Sequence, residues 1–316
     1  MVLAQRVIIL WSARRRMPPD PHSEAYLSGK SQGEARRAFP RPVSALIASW
    51  RASRGGRLTT FRDRYLIAVL LSFLPFRLDW ILRTFGSDKQ RPGGHSYGST
   101  YHALLSRFRY RPVKLLEVGV LSGDSLLSWR AFFPRGSIVG CDIQPKTEFN
   151  VGRIRTYLTD QSSHADLAKL CELEGPFDII IEDGSHINEH QIFSFYELFP
   201  KLKDGGIYVA EDVHTSFCPG VFGGANFDDP AFAGTCVGEL LELSKYLNHS
   251  EFLVRDQVDE RRLAFAKQIK RIAFEHNLVI VWKGPNNDSS NLPVILNAFA
   301  KSGRDPAAMI SPGGAT

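Results

Sequence analysis

The chain has 316 residues, 43% hydrophobic and 23% charged, an ordinary globular balance that can fill one large α/β domain or two small ones. Its net charge of +6 is unevenly placed: residues 1–90 carry 16 Lys/Arg against 6 Asp/Glu, and the remainder 23 against 27. The body is therefore mildly acidic, which argues against nucleic acid as its partner. Cys141, Cys171, Cys218 and Cys236 show no C-x-x-C and no framework spacing, so unpaired thiols in a reducing cytoplasm are expected.

In chain order, residues 1–60 are Arg-rich and interrupted by Pro and Gly. Val7 to Trp11 is too short for a signal h-region, so the stretch reads as a flexible basic tail, or as residues upstream of a start at Met17. Residues 61–110 read as a helical segment and a loop. The apolar run Tyr65 to Phe76 is too short to span a bilayer. It is expected to pack on the main domain or on a second subunit of a homo-oligomer rather than on a membrane surface, with Pro75 ending it. Phe85 to Tyr101 is rich in glycine and hydroxyls and reads as a cover over a ligand, followed by a helix over Tyr101 to Phe108.

From residue 111 to 284 strands and helices alternate. Strands are predicted at 114–118, 137–143, 153–158, 177–181 and 207–210, with helices at 124–133, 164–173, after strand 4, and at about 236–247. Ile269 to Phe274 and Leu278 to Trp282 read as a hairpin around Glu275–His276–Asn277. The prediction is a Rossmann-like α/β sheet, mostly parallel with an antiparallel last strand, behind an N-terminal helical and flexible extension. Residues 285–316 read as a peripheral tail.

Lys114 to Ser125 carries the first constellation. Gly119 and Gly123 force a turn between strand 1 and its helix, with Asp124 or Ser125 as the expected N-cap. A dinucleotide fingerprint would need glycine at Leu121 and Asp124; here instead Glu117 precedes Gly119 by two residues. That acid would repel a pyrophosphate and suits a sulfonium cation with a ribose. Asp142, at the end of strand 2, offers two acceptors for ribose hydroxyls, and Asp160–Gln161, after strand 3, can meet an adenine amino group and ring edge.

Asp183, His186, Glu211 and Asp212 form the second constellation, at the ends of neighbouring strands 4 and 5. No Lys or Arg is adjacent in sequence, so the three carboxylates repel unless protonated or sharing a cation. All-oxygen ligands suit Mg²⁺, with Mn²⁺ or Ca²⁺ as alternatives. His186 is placed as a general base, since imidazole ionises near neutral pH. His190 and His214 rank below it, and Glu182 should face the other way.

Together L-L-E-V-G-V (115–120), F-F-P-R-G (132–136), E-D-G-S-H-I-N (182–188), E-D (211–212) and H-N-L-V-I-V (276–281) resemble one group over roughly residues 84–284. The turn is similar to the S-adenosylmethionine (SAM) turn of class I methyltransferases. The blocks resemble the metal-dependent sugar O-methyltransferases of macrolide biosynthesis. The resemblance implies SAM held by Glu117, Gly119, Gly123, Ser125, Asp142, Asp160, Gln161 and Tyr97. It implies Mg²⁺ on Asp183, Glu211 and Asp212, and His186 as base. It also implies that Gly86 to Lys89 and His95 to Tyr97 cover the ligand, and that the partner is a glycosylated or other diol-bearing hydroxyl acceptor. Val213–His214 and Phe217–Cys218 depart from the group's aromatic residues, which bears on the acceptor. Two rivals are a degenerate SAM-binding or membrane-surface scaffold and a cephalosporin-hydroxylase-like enzyme. The latter would need a two-His metal site.

Overall fold

The computed structural model describes residues 60–90, 95–252 and 258–303, and all that follows concerns these residues. The tail predicted over 1–60 lies outside them except for Thr60.

Seven strands form one sheet in the order β3-β2-β1-β4-β5-β7-β6. They are β1 (Lys114–Val118), β2 (Ser137–Asp142), β3 (Ile154–Leu158), β4 (Phe177–Glu182), β5 (Leu202–Glu211), β6 (Ile269–Glu275) and β7 (Leu278–Lys283). β1 to β5 run parallel, while β7 is antiparallel to both β5 and β6. The central strands are near-continuous apolar runs because helices cover both faces: Leu115, Leu116, Ile138, Val139 and Ile179 to Ile181 are wholly buried. The predicted sheet is the one found. β5 differs in starting at Leu202 rather than Ile207. Lys203–Gly206, ahead of the predicted strand, runs inside β5 because Leu202 already pairs with Phe177 ahead of a register shift.

The helices are α1 (Phe61–Ser72), α2 (Leu78–Phe85), α3 (Gly98–Leu105), α4 (Asp124–Phe132), α5 (His164–Glu174), α6 (Asn188–Leu198), α7 (Cys236–Lys245), α8 (Glu260–Ala266) and α9 (Leu292–Lys301). α1 begins at Thr60, whose Oγ1 accepts from the Asp63 N–H at 3.2 Å, and ends three residues before Pro75. Its inner face, Tyr65, Ala68 and Leu71, is buried. The Tyr65 hydroxyl accepts from the Arg153 N–H at 3.2 Å and seats against Gly152, where a Cβ would lie 2.0 Å from that oxygen. α3 starts at Gly98, three residues ahead of its prediction. α2, α8 and α9 were not expected; α9 buries none of its side chains. The cap of α4 is Gly123 in the left-handed region, not Asp124 or Ser125. The Asp124 carboxylate is drawn instead to Arg64 and to Ser122 Oγ. No helix among the described residues is long and apolar enough to cross a membrane, and all four cysteines are free thiols.

Candidate active site

Parallel strands bring their carboxyl ends to one edge, and the predicted residues gather there. The turn after β1 is possible only with glycine. Gly119 has φ +87°, and a Cβ on it would lie 2.0 Å from the Asp183 carbonyl oxygen, so the ends of β1 and β4 touch backbone to backbone. Asp142, closing β2, holds that turn. Its Oδ2 accepts from the N–H groups of Val120 at 3.0 Å and Leu121 at 3.2 Å, and its Oδ1 from that of Gln144 at 2.9 Å.

A cavity of about 340 Å³ opens beside it, lined by Gly119, Asp142, Asp160, Gln161, Gly184 and His190 among others. The Asp160 carboxyl accepts from both the hydroxyl and the N–H of Ser162, which lowers its pKa below the usual range. Gln161 reaches the cavity, but its amide is committed. Nε2 donates to Glu182 Oε1 at 2.9 Å and Oε1 accepts from the Ser185 N–H at 2.7 Å. Gln161 thus braces the ends of β3 and β4, and its amide keeps one N–H and one acceptor site toward the cavity. Glu182 faces away from Asp183, as alternation along the strand requires.

A second cavity of about 280 Å³ shares Gly119, Asp142 and Gly184 with the first and is lined further by Ser125, Asp183, His186 and Asp212. Donor atoms of Asp183, His186 and Asp212 lie within 4.8 Å of one another, with His186 Nε2 3.8 Å from Asp212 Oδ2. Both His186 (φ +58°) and Asp212 (φ +55°) sit in the left-handed region, a strained conformation for such residues that tends to occur where function holds it. The two carboxylates face open space and fit a hard divalent cation, whose other positions go to water or substrate oxygens, with His186 beside them.

Three further expected site residues make their polar contacts inside the protein. Glu117 faces neither cavity. It is wholly buried, its Oε2 accepts from Ser125 Oγ at 2.7 Å, and burial pushes its carboxyl up to about 7. Glu211 stands apart from the metal-competent group. Its carboxylate is turned inward, onto the Tyr101 hydroxyl and onto Lys89 Nζ at 3.0 Å. Tyr97, expected beside the cofactor, donates through its hydroxyl to Asp212 Oδ1 at 2.7 Å. His95 stacks on it and places Nε2 3.2 Å from the same oxygen.

Sequence reasoning missed Lys89. It is 1% exposed, and its ammonium pairs with Asp183, with Glu211, and with Glu117 at 3.4 Å. Burial alone would pull its pKa down; the three carboxylates outweigh that and hold it above the usual lysine range. The statement that no cation neighbours these acids holds along the chain and fails in space. The one available signal was a lysine inside the G-S-D-K of the covering loop.

Residues 116–213 match the model of a methyltransferase domain family. The 8-demethyl-8-α-L-rhamnosyl tetracenomycin-C 2'-O-methyltransferase of Streptomyces olivaceus is 38% identical over 209 residues, 64% of this chain and 53% of that protein. The mycinamicin VI 2''-O-methyltransferase of Micromonospora griseorubida is 38% identical over 207 residues, 63% of this chain and 50% of that one. Among solved structures, the MycE methyltransferase of the mycinamycin pathway, in complex with Mg, SAH and mycinamycin VI, is similar with a TM-score of 0.61. It is 34% identical, over 68% of this chain and 56% of that one. The chain spans about half the length of the curated relatives it matches. Its sheet has the class I, Rossmann-like methyltransferase fold, and the chain resembles the sugar O-methyltransferases.

Proposed function

We propose that this methyltransferase domain serves a SAM- and Mg²⁺-dependent O-methyltransferase acting on a hydroxyl of a sugar or other diol-bearing small molecule. The observation that carries the reading is the junction of two cavities at Gly119, Asp142 and Gly184, one bordered by Asp160, the other by Asp183, His186 and Asp212. SAM would supply a methyl group activated by its sulfonium, and Mg²⁺, held by Asp183 and Asp212, would supply Lewis-acid activation of the hydroxyl.

The protein's own part is placement and proton removal. Asp142 fixes the glycine turn and borders both cavities, so it can take the ribose hydroxyls while the turn admits the sulfonium end. His186 takes the hydroxyl proton on a ring nitrogen, and the Asp212 carboxylate 3.8 Å away steadies the resulting imidazolium. Tyr97 and His95 hold Asp212 from the other side. One relative is named for a rhamnosyl tetracenomycin-C and the other for mycinamicin VI, which supports a glycosylated acceptor. One histidine with two carboxylates is the reverse of a two-His oxygenase site, which disfavours the hydroxylase reading.

Calorimetry with SAM, with and without Mg²⁺, tests the proposal, and absence of SAM binding would sink it. Asp142→Ala should weaken SAM by about 1.5–3 kcal/mol, tenfold or more, because a charge-assisted hydrogen bond is lost and the turn loosens. Unchanged affinity in a folded Asp142→Ala variant would remove Asp142 from the cofactor site.

A further inference from the structure

We propose that Lys89 is a positioning residue that couples the cofactor half of the site to the metal half. This rests on the function proposed above. Lys89 borders neither cavity, so it acts through the acids it holds. A buried ammonium is tolerated only when its charge is met, and here three carboxylates meet it: Asp183 and Glu211 accept hydrogen bonds from it while Glu117 pairs with it at 3.4 Å. Glu117, at the end of β1, is one; its other oxygen holds Ser125, which borders the second cavity in the first turn of α4. Asp183, beyond the end of β4, is the second; it faces His186 and Asp212. Glu211, at the end of β5, is the third and fixes the ammonium from behind.

One side chain therefore sets the orientation of the acid beneath the glycine turn and of an acid in the metal-competent group. The Lys89 carbonyl also accepts from the Tyr97 N–H at 3.0 Å, and the Tyr97 hydroxyl holds Asp212. Asp183 and Asp212 are thus both aimed from the same covering segment. A ligand that draws on one half fixes the geometry of the other, which is a coupling free energy and must be reciprocal.

The test is a thermodynamic cycle on the full chain. Binding of Mn²⁺, read from the free-ion paramagnetic resonance signal, is measured with and without saturating SAH. In the wild type SAH should tighten Mn²⁺ by about fivefold or more. In Lys89→Met that ratio should fall close to one, whatever happens to the separate affinities; Lys89→Arg should keep part of it. A purely structural lysine would lower stability or both affinities and leave the ratio intact. Should Lys89→Met fail to fold, Glu117→Gln cuts only the cofactor-side arm and should lower the ratio likewise. An unchanged ratio in a folded Lys89→Met or Glu117→Gln variant would overturn the proposal, as would a wild type whose Mn²⁺ affinity ignores SAH. A wild type that binds neither probe would overturn the underlying function, and this proposal with it.

Discussion

At the scale of single residues, two positions carry physical demands that can be measured directly. Gly119→Ala adds a methyl group 2.0 Å from the Asp183 carbonyl oxygen at a φ of +87°. Strain at such a φ costs on the order of 1–3 kcal/mol, and the clash forces the ends of β1 and β4 apart. Thermal melts should show the loss, and calorimetry should show SAM binding reduced beyond it. A variant of wild-type stability would mean that the two strand ends do not touch. Glu117 makes a second demand. Its carboxyl is raised from an ordinary value near 4.5 to about 7, chiefly by burial. A raised acid binds more protons folded than unfolded, so its contribution is full below about 4.5 and is lost as pH rises through about 7. Wild-type stability should therefore fall relative to Glu117→Gln across that window, by an amount up to about 3 kcal/mol. Parallel denaturation curves for the two proteins at pH 4.5 and pH 7.5 would contradict the assignment.

At the scale of elements, α1 tests how the segment ahead of the sheet is held. Tyr65 is its buried anchor, while Leu70 on the opposite face is 59% exposed. Tyr65→Ala should cost about 3 kcal/mol, the usual scale for removing a buried ring, and Leu70→Ser about 0.5 kcal/mol or less. Chemical denaturation separates the two; equal losses would mean that both faces are packed. The same elements show what a sequence exposes and what it hides. β1, β2 and β4 were legible because a strand buried on both faces must be a short apolar run stopped by Gly or an acid. α2 carries Leu78, Ile81, Leu82 and Phe85 at helical spacing but spans only eight residues between Pro75 and Gly86, too few for periodicity to stand out. α9 follows directly on the Pro-, Asn- and Ser-rich stretch 285–291 and carries Pro293 in its first turn, which hides its apolar run behind loop signals.

At the scale of the whole molecule, the site is a product of chain crossing, and its legible and illegible parts divide on that line. Asp142, Asp160, Asp183, His186 and Asp212 follow strand ends, so topology alone brings them to one edge. The orientations of Glu117, Gln161 and Glu211 depend on partners far along the chain. Lys89 pairs with Asp183 across 94 residues and with Glu211 across 122, and no local pattern announces such a contact. The function proposed above divides the labour inside the edge, giving metal occupancy to Asp183 and proton removal to His186. The most direct measurement is the methyl-transfer rate, with SAM and a glycosylated acceptor, as a function of Mg²⁺ concentration in the wild type, Asp183→Ala and His186→Ala. Chelator should abolish wild-type turnover. Asp183→Ala should need more Mg²⁺ and regain part of its rate in excess metal, whereas His186→Ala should stay lower by on the order of 10²–10⁴ at every concentration. Wild-type turnover that survives chelator, or metal that rescues His186→Ala, would contradict the account.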